Sequence, residues 1–358
     1  MKEGSHRPVL LVGSVPLKPA SEVFRVATHY LGEVMARFPD GEQVGWLPGV
    51  WQRMAQNPAL EPTRKVALVG ARESTDFFSQ LAIQYYGVKP GYVKQGLTLG
   101  PYGIAENAIA SYRQFKQMKE SAVVPRRARF QATVPGPLDC AFVVELPKGE
   151  LFPLAEEATA REISAITAAI PADDLTIQVD LAFEVELEEY RRRPKDFDMP
   201  VYEGVDWTLE DQARLIANIC NRIPPNVELG FHLCSIWHID QSKGQDNNVH
   251  VDWCNALSRK IDRPIGYIHM PTIPEHQAAD FAPLRRLELH PETQLFLGVI
   301  HMDDGLEGAR RRIAAAASAI TDFGVGAFCG LAQPSRQEAA HPHTVEEIFA
   351  LHRKVAEL

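Results

Sequence analysis

From residue 129 to the C-terminus, short apolar β-rich runs alternate with helix-like stretches, and this pattern restricts the fold more than any other feature of the chain. Strand-like runs at 129–135, 175–182, 227–234, 264–271, 294–302 and 324–330 are each followed by a stretch with helical apolar spacing. Those helices are expected around 155–169, 208–222, 249–260, 276–287, 306–321 and 344–357. Upstream, the run PVLLVGS at 8–14 and a helix over roughly 20–37 supply a first unit. Residues 38–42 then read as a turn into a second strand ending near Trp46 and Leu47. Residues 64–101 break the rhythm and read as an excursion with hairpin character, before a helix over 103–119. Strands centred near residues 10, 44, 132, 178, 230, 267, 298 and 327 make eight. Strand–helix alternation with eight strands predicts an α/β fold, a single (β/α)8 TIM barrel over residues 1–358, in preference to an open doubly wound sheet. No GxGxxG or GxxxxGK[ST] follows any strand, which removes support for a nucleotide-binding fold.

Composition narrows the partners. A formal net charge of −9 argues against nucleic acid or an acidic membrane surface, and no basic tract offsets it. No apolar run approaches membrane-spanning length, and no signal-peptide core opens the chain. The five cysteines, 140, 220, 234, 254 and 329, are an odd and dispersed set, unlike a secreted disulfide framework. A reduced, cytoplasmic protein is the expectation, acting on a small-molecule substrate; the sequence leaves the oligomeric state open.

The chemistry-bearing residues gather at one end of the expected barrel. In the run VELGFHLCSI, His232 and Cys234 are two apart, so a strand puts imidazole and thiol on the same face. Zinc accepts both ligand types. Taken alone, the pair reads equally as a buried thiol beside a satisfied histidine. His269, His301 and Cys329 lie at or near the C-terminal ends of later strands, the end at which such barrels carry their chemistry. Asp180, Ser14 and Glu42 fall on the same rim. The polar segment 236–252, with Trp237 and His238 directly after the metal pair, reads as a loop that helps to choose the substrate.

Several motifs, taken in order along the chain, resemble the cobalamin-independent methionine synthase family, in its C-terminal catalytic barrel and its single-barrel relatives. They are Val12-Gly13-Ser14, Asp40-Gly41-Glu42, the segment FQATVPGP at 130–137, Gln178-Val179-Asp180, His232-x-Cys234 and Cys329-Gly330-Leu331. The resemblance implies a catalytic zinc on His232, Cys234 and Cys329. It places Ser14, Glu42 and Asp180 around the amino and carboxylate groups of a homocysteine-like thiol. Where the family carries a glutamate as fourth ligand this chain has His269, which is read either as a ligand or as a hydrogen-bond partner in the pocket. The family's proton-donating histidine aligns at Asp303, with His301 two residues earlier as the alternative acid. This sequence does not include the second barrel of the full-length synthases, so the expectation is a smaller methyl donor, or a partner protein, in place of a folate polyglutamate.

The leading functional expectation is therefore zinc-dependent transfer of a methyl or alkyl group to an activated thiol. The same ligand set also allows a zinc Lewis-acid lyase, or an enzyme cleaving ether or other C–O bonds in a small oxygenated substrate. A barrel that binds a small molecule without catalysis is a third reading.

Overall fold

The computed structural model describes residues 6–43, 47–67, 82–92, 96–197, 199–234, 244–331 and 343–358. Strands β1 (Val9–Leu10), β2 (Arg37–Pro39), β5 (Arg129–Pro135), β6 (Leu175–Leu181), β7 (Glu228–Leu233), β8 (Tyr267–Pro271), β9 (Gln294–Ile300) and β10 (Gly324–Ala327) form one parallel sheet. Its order is β1-β10-β9-β8-β7-β6-β5-β2. Parallel bridges Val9–Met35 and Ser14–Gly41 bring β1 against the β2 segment, so the sheet curls into a nearly closed (β/α)8 TIM barrel. Helices α1 (Ala20–Leu31), α3 (Ile104–Glu120), α5 (Lys148–Ala169), α7 (Leu209–Cys220), α8 (Asn247–Lys260), α10 (Gly305–Ala317) and the last helix (Val345–Ala356) alternate with the strands. No described helix is long and apolar enough to cross a membrane.

Two-residue periodicity sorts side chains between the outer core and the barrel interior. On β5, β6 and β7 the outward set is apolar: Phe130, Ala132, Val134, Ile177, Val179, Leu181, Leu229, Phe231 and Leu233 all join the main core. The intervening positions are polar, and register aligns them: Thr176 with Glu228, Gln178 with Gly230, Asp180 with His232. They stack in layers from the N-terminal end of the strands upward. Arg37 and Glu228 pair at 2.6 Å at the bottom, and Thr176 donates its hydroxyl to the same carboxylate at 2.6 Å. The Arg37 guanidinium lies 4.5 Å from the centre of the Tyr267 ring, and Tyr267 packs with Leu10 and Phe296 above it. The Tyr267 hydroxyl then donates to Gln178 Oε1 at 2.8 Å, which opens the polar layer below the site.

The second strand is not where the sequence reading put it. Arg37–Pro39 is the strand, and Leu47 begins helix α2 (Leu47–Met54), so Glu42 follows the strand. Pro48 suits a first helical turn, where its missing N–H is not needed. Arg37 must also enter the barrel wall to reach Glu228. The expected helix at 276–287 contracts to α9 (Ala278–Phe281) and a 3-10 turn. Two helices went unread: α4 (Pro137–Ala141) and α6 (Phe183–Arg192). The excursion is an antiparallel pair outside the barrel, β3 (Leu60–Ala67) with β4 (Ala82–Val88). It is tied on by Tyr86, whose backbone bonds Val143 and Glu145, and it shares a second apolar cluster with α2, α4 and the start of α5.

Gly230 shows how tightly the interior is filled. A Cβ there would lie 2.1–2.6 Å from atoms of the Tyr267 ring. Gly230→Ala is expected to cost about 1–3 kcal/mol, seen as a lower midpoint in urea. Gly149→Ala, where a Cβ meets nothing within 4 Å, should leave the midpoint unchanged or raised. Equal midpoints for the two variants would refute this packing.

Candidate metal centre and substrate pocket

β7 carries His232 to the C-terminal end of the barrel, and the chain stays extended for one more residue. The Cys234 N–H donates to Leu181 O at 2.9 Å, so Cys234 keeps the inward orientation of the strand. Across the barrel, β10 delivers Cys329. The ligand atoms of His232, Cys234 and Cys329 all lie within 4.8 Å of one another, with the two Sγ atoms 3.8 Å apart. That separation is too long for a disulfide bond. It does fit a metal: two thiolates held at about 2.3 Å by one tetrahedral zinc sit about 3.8 Å apart. Donor chemistry and spacing both fit the ion.

Glycines make the rim possible. A Cβ on Gly13 would fall 2.3 Å from Glu42 Oε1, and one on Gly330 would fall 2.1 Å from Ser14 Oγ. The Gly-Ser and Cys-Gly-Leu motifs therefore clear room for Glu42 and Ser14 beside the cysteine, and Leu331 N–H bonds Ser14 O at 2.8 Å. Asp180 lies across from His232 and accepts from Gln178 Nε2 at 2.8 Å. Burial, followed by the nearby Asp40 and Cys329, pushes the Glu42 carboxyl up to about 8. Burial and then Glu42 raise Asp180 well above the usual carboxylate range. The pocket thus gathers acids that gain from an ammonium or hydrogen-bond donor.

His269 stands apart from the three. Its Nδ1 lies 2.8 Å from His232 Nδ1, one hydrogen bond in which a single proton is shared. Burial lowers His269 to about 3, so it is neutral near pH 7. His301 is also buried and donates from Nε2 to Thr272 O at 2.8 Å. Its ring stacks on Phe328, next to Cys329, at 5.4 Å. Burial, then Arg312, lowers His301 to about 3. Asp303 is on an exposed turn after β9. Trp237 and His238 lie outside the described residues.

No family model and no curated protein matches the sequence. Among solved structures, the chain is similar to that of the "putative vitamin-B12 independent methionine synthase" from Listeria monocytogenes. Identity is 14%, the alignment covers 94% of this chain and 85% of that one, and the TM-score is 0.55. The likeness is one of fold.

Several buried polar groups near the site escaped the sequence reading. Asp139 accepts from the N–H groups of Ala182 and Phe183, while Glu184 accepts from those of Leu138 and Asp139. Each acid caps the other's helix, and burial, the largest cause for both, raises the two carboxyls above the usual carboxylate range. Glu186 accepts from the Tyr202 hydroxyl at 2.8 Å, and burial pushes it up to about 8. The run EVELEEY resembles a solvated helix face; only the alternation of acids with Val185 and Leu187 hinted otherwise. His250 and His276, also buried, are held to about 4 by burial.

These imidazoles set an acid limit. His250, His276 and His352 are each lowered from 6.5 to about 4. An unfolded chain takes up protons over that interval that the folded chain refuses, so stability is full above the unfolded value and falls with pH below it. The melting temperature of chelator-treated protein should therefore drop between about pH 7 and 5. His352→Gln should flatten the drop, since it removes one of the three lowered imidazoles. A melting temperature independent of pH over this interval would contradict the assignment.

Proposed function

We propose that this barrel is a zinc-dependent alkyltransferase acting on a small thiol, with a homocysteine-like amino-acid thiol as acceptor. The observation that carries this reading is the His232, Cys234 and Cys329 group at the C-terminal end of the strands, with its 3.8 Å Sγ separation. These three residues would hold the metal. Three protein ligands leave a tetrahedral ion one open position, the arrangement of catalytic rather than structural zinc. Zinc, when bound, supplies the positive charge that lowers a thiol's pKa and yields a nucleophile at neutral pH.

The chain's own residues orient the acceptor. Ser14, Glu42 and Asp180 lie on one side of the cysteines and suit the amino and carboxylate groups of an amino-acid thiol. Burial and then Asp40 and Cys329 raise Glu42, and burial and then Glu42 raise Asp180; an arriving ammonium would relieve that repulsion. Gln178 fixes Asp180 from below. His269 orients His232 through the Nδ1–Nδ1 hydrogen bond, the role that outer partners of metal-binding histidines commonly take. His301 sits against Phe328 beside Cys329, placed to exchange a proton with a departing group, while Asp303 is too exposed to share that enclosure. Two thiolates cancel the double charge of a zinc ion, which favours activation of a soft thiol over Lewis-acid attack on an oxygen substrate.

Purified protein grown with zinc should hold about one ion per chain, as expected for one three-ligand site. Cys234→Ser and Cys329→Ser should each lose it. His269→Gln should keep the stoichiometry and bind about 10–100-fold more weakly, as outer-partner changes do. Zinc retained in both serine variants would defeat the proposal. Loss of stoichiometric zinc in His269→Gln would instead make His269 a ligand.

A further inference from the structure

Beside the metal-ligating group lies a cleft of about 490 Å³, walled by the ends of β2 and β5 and by the facing sides of α2 and α3. Pockets of this size enclose ligands considerably larger than a single amino acid. Glu42 lines its inner end, whereas His232, Cys234 and Cys329 are absent from its described lining. Glu42 also feels Cys329 electrostatically, so this one side chain belongs both to the cleft lining and to the surroundings of the metal-ligating group. A ligand in the cleft would therefore be continuous with the amino-acid end of the acceptor and separated from its sulfur.

Two lining residues carry buried polar atoms with no hydrogen-bond partner: the Tyr102 hydroxyl and Gln131 Oε1. Tyr102 is 2% exposed and Gln131 1%. A donor and an acceptor left unpaired in the interior are costly and stand ready for a ligand that pairs with both. One donor and one acceptor match an amide's carbonyl and N–H. Phe130 and Val50 contribute apolar wall to the same cleft, and Arg53 contributes a cation. Arg53 pairs with Glu106 at 2.8 Å, but that pair is exposed and therefore weak enough for a ligand carboxylate to displace.

We propose that the cleft binds an amide-linked, carboxylate-ended arm of the acceptor, so that the natural thiol is a peptide-like thiol rather than a free amino acid. This rests on the thiol-alkylation reading. An alkyl donor fits the cleft less well, because its reactive carbon must approach the sulfur at the cysteines, and none of the three metal-ligating residues is in the described lining of the cleft.

The test uses the full chain substituted with cobalt, following the sulfur-to-metal absorption on titration with homocysteine and with homocysteinylglycine, a dipeptide thiol that keeps the free ammonium and adds an amide and a terminal carboxylate. The dipeptide should half-saturate at a concentration about tenfold lower, the worth of one charge-assisted contact. Arg53→Met and Tyr102→Phe, both mild enough to fold, should each shrink that ratio toward one. A wild-type ratio near one, or a preference untouched by both substitutions, overturns the cleft assignment while leaving the metal–thiol reading intact. If neither thiol perturbs the spectrum, both readings fall together.

Discussion

Everything at the site depends on the hydrogen-bonded register between β6 and β7. Asp180 lies opposite His232 only because Thr176 pairs with Glu228 at the other end of the same ladder. Side chains alternate with a period of two, so a slip of one residue would turn His232 and Cys234 into the helix layer and bring Phe231 and Leu233 into the pocket. The apolar outer set resists that slip, since Leu229, Phe231 and Leu233 are buried in the main core. The Arg37–Glu228 pair pins it from below, because moving Glu228 would strand a buried guanidinium. The metal-binding geometry is thus inherited from a packing constraint two layers away.

The polar interior carries a cost that the fold meets with a hub. Gln178 accepts from Tyr267 and Gln131 and donates to Asp180 and Val12 O. That set ties β1, β5, β6 and β8 at one level, and leaves Asp180 as the first group above it that faces the pocket. Buried networks hold one geometry when every member is satisfied. Here the Tyr102 hydroxyl and Gln131 Oε1, both on residues of the cleft lining, have no partner, while Arg37, Glu228 and Thr176 below the site are paired with one another. That distribution is what a binding surface resting on a rigid floor would produce.

The later half of the barrel was legible because each strand there is a β-rich run bounded by a helix with clear apolar spacing. His232, Cys234 and Cys329 could be aligned once strand ends were known, since spacing within a strand fixes the face. The second strand was not legible. Arg37–Pro39 is only three residues long and owes its place to Arg37 reaching Glu228, a contact 191 positions away. The buried acids of α6 were hidden for the same reason: Asp139 and Tyr202, the partners of Glu184 and Glu186, are brought in by other segments. The cleft is likewise a non-local object, since Tyr102 and Gln131 belong to different repeats and their missing partners cannot be read from neighbours in sequence.

Position 269 shows how charge, more than ligand count, shapes this site. Glu42, Asp180 and Glu186 all feel Cys329, and all three are displaced upward, by burial first and then by neighbouring acids. A carboxylate on β8 would place a fourth acid in the same enclosure, beside two thiols that must ionise to hold a cation. Like charges so confined cannot all remain ionised. A neutral imidazole avoids this, because it completes the hydrogen bond to His232 Nδ1 without adding negative charge. The histidine on β8 is therefore coupled to the acids on β2, β6 and α6. A chain that keeps this many carboxyls near two cysteines gains from an uncharged partner at that point, and the partner must still fix the ring it touches.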